Sequence, residues 1–457
     1  MEAPTTLDGP FPDDELRDFL ERARHTLTAN DVGDFVKPGL HQYPHQWNWD
    51  AALVAMGLAH FDAERARKEV RSLLRGQWLD GMLPHVVYHN GSSDYFPGPD
   101  FWQIEQSVAA PPYIRTSGPA GSPHRCTSTC VRRMHRRAAD REASLAFVRE
   151  VYPKLLRWHR WLHRARDPEG TGLVAIVHPW ESGTDNAARF VQPLMQVTPA
   201  RSQMPVYQRR DSDHVAAEER PVHADYERFV YLIDQFRRWG YDPETMYARS
   251  PFLVQDTLFN AVVYQAHEDM IALADEIGEP TAELERWRFR LRRAFNNKLW
   301  DDEEGLYFAY DARHHQHVRE NGVATFLALY AGLADRAQAE VLVGAHLENP
   351  DEYAPDVRSR FLVPSQAKNN YFYEPRRYWR GPVWILINWM IMEGLERYGY
   401  RDLGERVRLD SVALMRRSGF YEYYDPRDGS PAGASDFSWS AALALEMLEP
   451  LPLRLPT

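Results

Sequence analysis

Apolar positions recur at helical spacing along most of the chain. Between Asp14 and Asn30, the side chains of Leu16, Phe19, Leu20, Ala23 and Leu27 fall on one face, the signature of an amphipathic helix packed on a core. The same spacing predicts helices over Trp47–His60, over Arg65–Trp78 with Val70, Leu73, Leu74 and Trp78 inward, and over Arg141–Arg166 on Leu145, Val148, Val151, Leu155 and Leu162, bent at Pro153. Further helices are predicted at about 225–239, 253–277, 281–298, 320–333, 335–347, 382–398, 402–418 and 437–448. Residues 81–125 read as loop, rich in Gly and Pro, and 186–224 as a polar, proline-bearing excursion. Long β-alternation is scarce, so the chain is expected to be all-α.

A weak repeat supports a closed arrangement. Acidic glycine turns recur at Asp167-Pro-Glu-Gly-Thr-Gly-Leu, Asp301-Asp-Glu-Glu-Gly-Leu-Tyr and Asp425-Pro-Arg-Asp-Gly-Ser-Pro, a chemistry suited to short hairpins between helices. Helix pairs repeated in this way must bury their faces on neighbours, by stacking or by closing into a ring. The richest aromatic segments lie between the helices, which favours a ring that gathers them at one end. The expectation is one domain over 1–457, with insertions at about 81–130 and 186–224 capping a pocket.

Composition narrows the partners. The formal net charge is -11, which argues against nucleic acid or an anionic membrane. No apolar run approaches bilayer length, and the acidic N-terminus lacks a secretion signal. Two cysteines in 457 residues give no disulfide framework, which fits a reducing cytosol. The expected partner is a small molecule; a homo-oligomer is left open. Of the 14 Trp and 23 Tyr, most fill a helical core, and some are free to line a cleft.

The stretch with the densest chemistry is His178-Pro-Trp-Glu-Ser-Gly-Thr-Asp-Asn186. Gly183 permits a tight turn that presents Asp185 beside rings. Two readings stand. Asp185 is a buried acid that holds a proton at neutral pH, or it caps the next helix. Four other stretches embed polar groups in rings at loop–helix junctions: His41–Asp50, with Trp47 and Asp50 on one helix face; Met82–His85 followed by Tyr95; Tyr378–Trp384, with a Gly381–Pro382 turn; and Gly419–Asp425, with Glu422 between tyrosines. Each alone is compatible with core packing. Together they suggest a pocket for a polyol, whose C–H faces meet rings and whose hydroxyls meet Asp, His and Arg. Two carboxylates in such a pocket, Asp185 and Glu422, suit glycoside hydrolysis, one protonating the leaving oxygen and the other activating water or attacking directly.

These residues carry a resemblance. Gln46-Trp-Asn-Trp-Asp50, Gly81-Met-Leu-Pro-His85, Arg115-Thr-Ser-Gly118, Trp180–Asn186, Arg209-Arg-Asp211 with Glu219-Arg-Pro221, Tyr378–Trp384 and Phe420–Pro426 together resemble the mannosylglycerate and glucosylglycerate hydrolases of glycoside hydrolase family 63, nearly end to end and in order. The resemblance implies an (α/α)6 barrel, an inverting mechanism and no cofactor or metal. It implies Asp185 as general acid and Glu422 as general base, with Trp47, Asp50, His85, Trp379 and Trp384 around the sugar. Tyr43, Tyr95, Arg220, Tyr226 and Tyr378 fall near the glycerate, and Gly381 joins the substrate contacts. Arg220 suits a carboxylate because its planar fork holds two oxygens, and inversion needs the two acids roughly 6.5–9.5 Å apart. Competing readings are a sugar epimerase or isomerase on the same toroid, leaning on His85 and His178, and a non-catalytic carbohydrate-binding relative.

One segment departs from the family. Pro119-Ala-Gly-Ser-Pro-His-Arg-Cys-Thr-Ser-Thr-Cys130 shows no helical periodicity where a buried helix is expected, and reads as a local frame displacement restored by about residue 131. The family glutamine expected near Gly121 is then missing. His314-His-Gln-His317 reads as a solvated loop, Cys126 and Cys130 lack a second pair for a metal, and His267-Glu-Asp-Met departs from the zinc-peptidase pattern.

Overall fold

The computed structural model describes residues 12–89, 94–119, 126–200, 202 and 204–449. Twelve helices among them alternate between an outer and an inner layer. The outer ones are α1 (Asp13–Ala29), α3 (Ala63–Arg75), α5 (Arg141–Arg166), α7 (Ala282–Leu299), α9 (Arg336–Val341, continued by a wider turn over Leu342–Leu347) and α11 (Arg401–Ser418). The inner ones are α2 (Asn48–Leu58), α4 (Cys126–Arg137), α6 (Thr257–Ile277), α8 (Leu327–Ala331), α10 (Ile385–Arg397) and α12 (Ser438–Leu448). Each inner helix packs on the next, and α12 closes on α2. This is the (α/α)6 barrel.

The layer assignment follows from the side chains. Every residue of α2 is buried, as a helix apolar all round must be. In α3, by contrast, Ala66, Val70, Leu73 and Leu74 face inward together with Glu69, which is held by Gln46 and Arg65, while Glu64, Lys68 and Arg75 face out. Closure of the ring depends on a close approach: a Cβ on Gly57 of α2 would stand 2.5 Å from the Cβ of Ala442 in α12, so any larger residue would force the two helices apart. The seam is also pinned by charge. Glu446 of α12 accepts from Arg133 and Arg137 of α4 at 3.1 and 3.4 Å and lies 3.0 Å from the His60 ring just past α2.

The connections are unequal. Inner-to-outer turns are short, at 59–62, 138–140, 278–281, 332–335 and 398–400, whereas the outer-to-inner connections are long. The three acidic glycine turns belong to these long connections and not to short hairpins between helices, and those at Asp301 and Asp425 instead turn short β-hairpins. In each, an aspartate accepts from backbone N–H groups a few residues on, as Asp167 does from Thr171 and Gly172 at 2.7 and 2.9 Å, and Asp301 and Asp425 do likewise. Short antiparallel strands also form here: β1 (Gln46–Trp47), β2 (Val86–Tyr88) and β3 (Arg115–Thr116) in one sheet, and β4 (Tyr421–Tyr424) with β5 (Pro431–Ser435) in a hairpin. Trp47 pairs with Val86, and Tyr423 with Ala432.

Several expectations are corrected. The stretch 119–130 was expected to lack a helix, yet α4 already includes Cys126, and its residues Cys126–Val131 are all buried in the barrel wall, not in a cap. The periodicity is hidden because small polar side chains occupy the buried face, each with a partner. Thr127 donates to Asn48, Thr129 donates to Asp269 at 2.6 Å, and Ser128 meets His159 at 3.2 Å. The helix expected at 253–277 starts only at Thr257, capped by Asp256, and that at 320–333 is a tight turn over Val323–Phe326 before α8. His314–His317 belongs to a hairpin between Ala309–Asp311 and Gln316–Val318. Among the described residues no helix is long and apolar enough to cross a membrane, and no cluster of three His, Cys, Asp or Glu is placed to hold a metal.

The Glu446 seam yields a prediction. Glu446→Ala removes the buried carboxylate shared by Arg133, Arg137 and the His60 ring and is expected to destabilise the chain by about 3 kcal/mol in chemical unfolding. Removal of Glu393, a half-exposed partner of Arg133, is expected to cost less than about 1 kcal/mol. Equal effects would refute the seam as a stabilising element.

Candidate active site

The long connections meet at one end of the barrel around a hollow with about 850 Å³ of atom-free space, its open mouth included. Its floor comes from the starts of inner helices. Trp47, Trp49 and Asp50 open α2, Trp379 precedes α10, and Phe437 and Trp439 open α12. Trp47 is extended and caps α2 from outside, so it and Asp50 share the hollow without sharing a helix face.

Asp185 arrives on a braced turn. Arg166 at the end of α5 holds Glu181 with Nη2 at 2.6 Å and Nε at 3.2 Å, and Glu181 accepts the Val177 N–H at 2.7 Å. A tight turn over Pro179–Ser182 then ends at Gly183, whose φ of +70° suits glycine and whose missing side chain leaves room for the Trp49 ring. On the far side, Asn186 accepts the Trp379 N–H at 2.9 Å through its side chain and Arg380 Nε at 2.8 Å through its carbonyl. The next helical turn is capped by Ala187, so Asp185 caps nothing. Burial pushes its carboxyl up to about 7, with Asp211 and Glu422 adding negative charge and Arg220 opposing them.

Glu422, on β4, meets the opposite treatment. It is buried among donors: the Tyr43 hydroxyl at 2.8 Å, Arg220 Nη2 at 3.0 Å and the Ala434 N–H at 3.1 Å. Three donors on two oxygens, one of them a cation, suit a carboxylate. The two acids therefore stand in opposite surroundings, Asp185 in burial that favours its protonated form and Glu422 among donors. Asp50 is a third acid on the wall. Burial raises it well above the usual carboxylate range, with Glu422 adding to the effect, so it presents a hydroxyl as well as a carbonyl to a ligand. His85 is held neutral, its ring lowered to about 3 by burial, and its Nδ1 has no partner among the described residues.

Tyr43, Trp47, Asp50, His85, Tyr95, Asp185, Arg220, Tyr226, Tyr378, Trp379 and Glu422 all line the hollow. Two expected contacts do not. Trp384 stacks behind Trp379, with ring centroids 3.6 Å apart and planes 6° apart, and its indole N–H is spent on the Tyr378 carbonyl. Gly381 faces the backbone of Glu374 instead. Both support the wall from one layer back. Tyr378 itself holds a φ of +34°, a strained conformation for a residue with a side chain. Arg220 also lines the hollow, but Nη1 and Nη2 are already on Glu422, so only the edge that includes Nε is left for a ligand carboxylate.

The structure adds Trp49, Tyr88, Trp102, Trp180, Asp211, Phe437 and Trp439 to the wall. Trp49, Trp180 and Asp211 stand inside stretches already singled out, so their neighbours carried the signal. Phe437 and Trp439 had only their position at a helix start. The buried indole N–H groups of Trp379 and Trp439 have no partner among the described residues, which suits donors reserved for a ligand. Asp211 is gripped by Arg209 at 2.5 and 2.8 Å.

Residues 43–440 match the family described as the mannosylglycerate hydrolase MGH1-like glycoside hydrolase domain. The chain belongs to that family. It is 44% identical over 425 residues to a mannosylglycerate hydrolase of Thermus thermophilus, covering 93% of this chain and 99% of the relative. It is 32% identical over 438 residues to a glucosylglycerate hydrolase of Mycolicibacterium hassiacum, covering 93% and 97%. Its structure aligns with a family 63 mannosylglycerate hydrolase of Thermus thermophilus, crystallised with Tris and D-glycerate, at a TM-score of 0.87 and 43% identity over 93% of this chain and 99% of that one. This member of family 63 is thus an O-glycosyl hydrolase.

For this hydrolase the acids set a pH profile. If Asp185 donates a proton, activity falls as pH rises through about 7. Asp211→Asn removes a negative charge that favours the protonated form, so the alkaline limb is expected to move to lower pH while the acid limb stays. A limb that does not move would show that Asp211 does not act on Asp185.

Proposed function

We propose that this hydrolase cleaves a small α-glycoside of an organic acid, glucosylglycerate or mannosylglycerate, to free sugar and glycerate with inversion. The observation that carries the reading is the contrast between two acids on one hollow, Asp185 protonated by burial and Glu422 surrounded by donors. Asp185 gives its proton to the glycosidic oxygen as the C1–O bond breaks. Glu422 takes a proton from a water that attacks C1 from the opposite face. This reading requires the carboxyl groups to stand roughly 6.5–9.5 Å apart with substrate bound. The sugar meets Trp47, Asp50, His85 and Trp379; the acid aglycone meets Tyr43, Tyr95, Arg220, Tyr226 and Tyr378. The names of the relatives supply the two sugars and the glycerate, and the described residues of 81–119 and 186–224 act as the cap.

The epimerase reading needs a second free histidine. His178 accepts the Trp180 N–H on Nδ1 at 3.0 Å and lies 3.1 Å from the Phe229 carbonyl through Nε2, so both nitrogens are spent. The non-catalytic reading has no observation in its favour once both acids share one hollow.

Asp185→Asn and Glu422→Gln are each expected to lower kcat by about 10²–10⁴ while sugar binding survives. Proton NMR of the first product formed from glucosylglycerate and mannosylglycerate is expected to show the β-anomer. Initial α-anomer, or unchanged kcat in either variant, would falsify the assignment.

A further inference from the structure

Arg220 is the single arginine or lysine among the described residues lining the hollow, and His85 there is neutral. Any anion that enters meets this one cation, which is already engaged. The end of its guanidinium faces Glu422, with Nη2 3.0 Å from Oε2 and Nη1 3.5 Å from Oε1, and Nη1 also donates to the Tyr43 hydroxyl at 3.0 Å. The group is held near ring faces, 4.7 Å from the Tyr378 centroid and 5.9 Å from that of Tyr43. Its Nε is buried and has no partner among the described residues. A guanidinium offers two bidentate edges; here the end is spent, and the edge that includes Nε keeps an unused donor.

We infer that a carboxylate in the aglycone half of the hollow binds the free edge of Arg220 and shares its charge with Glu422, so that occupancy of that half makes Glu422 a stronger base. This rests on the hydrolase reading above. The physical argument is electrostatic. A carboxylate paired with one arginine holds a proton weakly. A second carboxylate on the same arginine divides the neutralisation available to each and adds a negative charge nearby, so both hold a proton more strongly. A neutral aglycone leaves the original pair intact. The anionic group of the substrate then does more than anchor it: it readies the group that deprotonates water. Arg220 is the positioning residue through which this acts.

Glycosyl fluorides separate binding from activation, because fluoride leaves the aglycone half vacant. Water attacks C1, the C1–F bond breaks, fluoride departs and the water proton passes to Glu422. α-Glucosyl and α-mannosyl fluoride are hydrolysed across pH with D-glycerate added over the range in which it competes with glucosylglycerate, and with glycerol as the neutral control. D-Glycerate is expected to raise the plateau rate severalfold and to move the acid limb to higher pH, while glycerol does neither. Arg220→Lys keeps a charge but gives up the second edge; whatever its own basal rate, the ratio of its rates with and without D-glycerate is expected to fall to one. Glycerate that only inhibits, an unmoved acid limb, or an undiminished response in Arg220→Lys would overturn the coupling and leave the hydrolase reading standing. Failure to hydrolyse either fluoride would take down both.

Discussion

Closure of the inner ring is the constraint on which everything else rests. Tyr43 and Glu422 stand 379 positions apart, yet their oxygens are 2.8 Å apart. That contact exists because α12 packs on α2 with the glycine of one against the alanine of the other. An open stack of the same helix pairs would bury the same apolar faces but would leave Glu422 at one end of the molecule and Tyr43 at the other. The short turns on one rim and the long connections on the other follow from the same geometry. One rim only links helices; the other has material to spare for chemistry.

The second principle is a division of environment. Four acids, Asp50, Asp185, Asp211 and Glu422, line one hollow, and four bare charges could not share it. The fold separates them by giving two an arginine each and leaving two to burial. Arg209 takes Asp211 and Arg220 takes Glu422, while burial pushes Asp50 well above the usual carboxylate range and Asp185 up to about 7. A mixture of charged and neutral carboxyls gives the site both a proton to give and a place to put one.

Much of this was legible in the sequence because helical spacing is strong in α1, α3 and α5, and because the motif residues cluster at helix starts. What was hidden had physical causes. The α4 helix begins with Cys, Thr and Ser at buried positions, and periodicity cannot show a buried face built from hydrogen-bonded hydroxyls. Trp384 and Gly381 were grouped with the hollow because they share a stretch with Tyr378 and Trp379; only coordinates separate a wall from the layer behind it. Arg220 is expected beside the glycerate carboxylate, and composition and spacing give no hint that the protein's own Glu422 takes two of its nitrogens. Trp47 and Asp50 reached the right place by a wrong route, since one is a strand residue and the other helical.

Asn186 has a mechanical meaning. Its side chain clasps the backbone beneath Trp379 and its carbonyl clasps Arg380, so the turn bearing Asp185 and the ring of Trp379 are welded into one plate. Asp185 cannot retreat without dragging that ring along. On the proposed function, a bulkier ring on the substrate would be misaligned at both places at once, and tolerance for it would have to arise on the opposite side of the hollow.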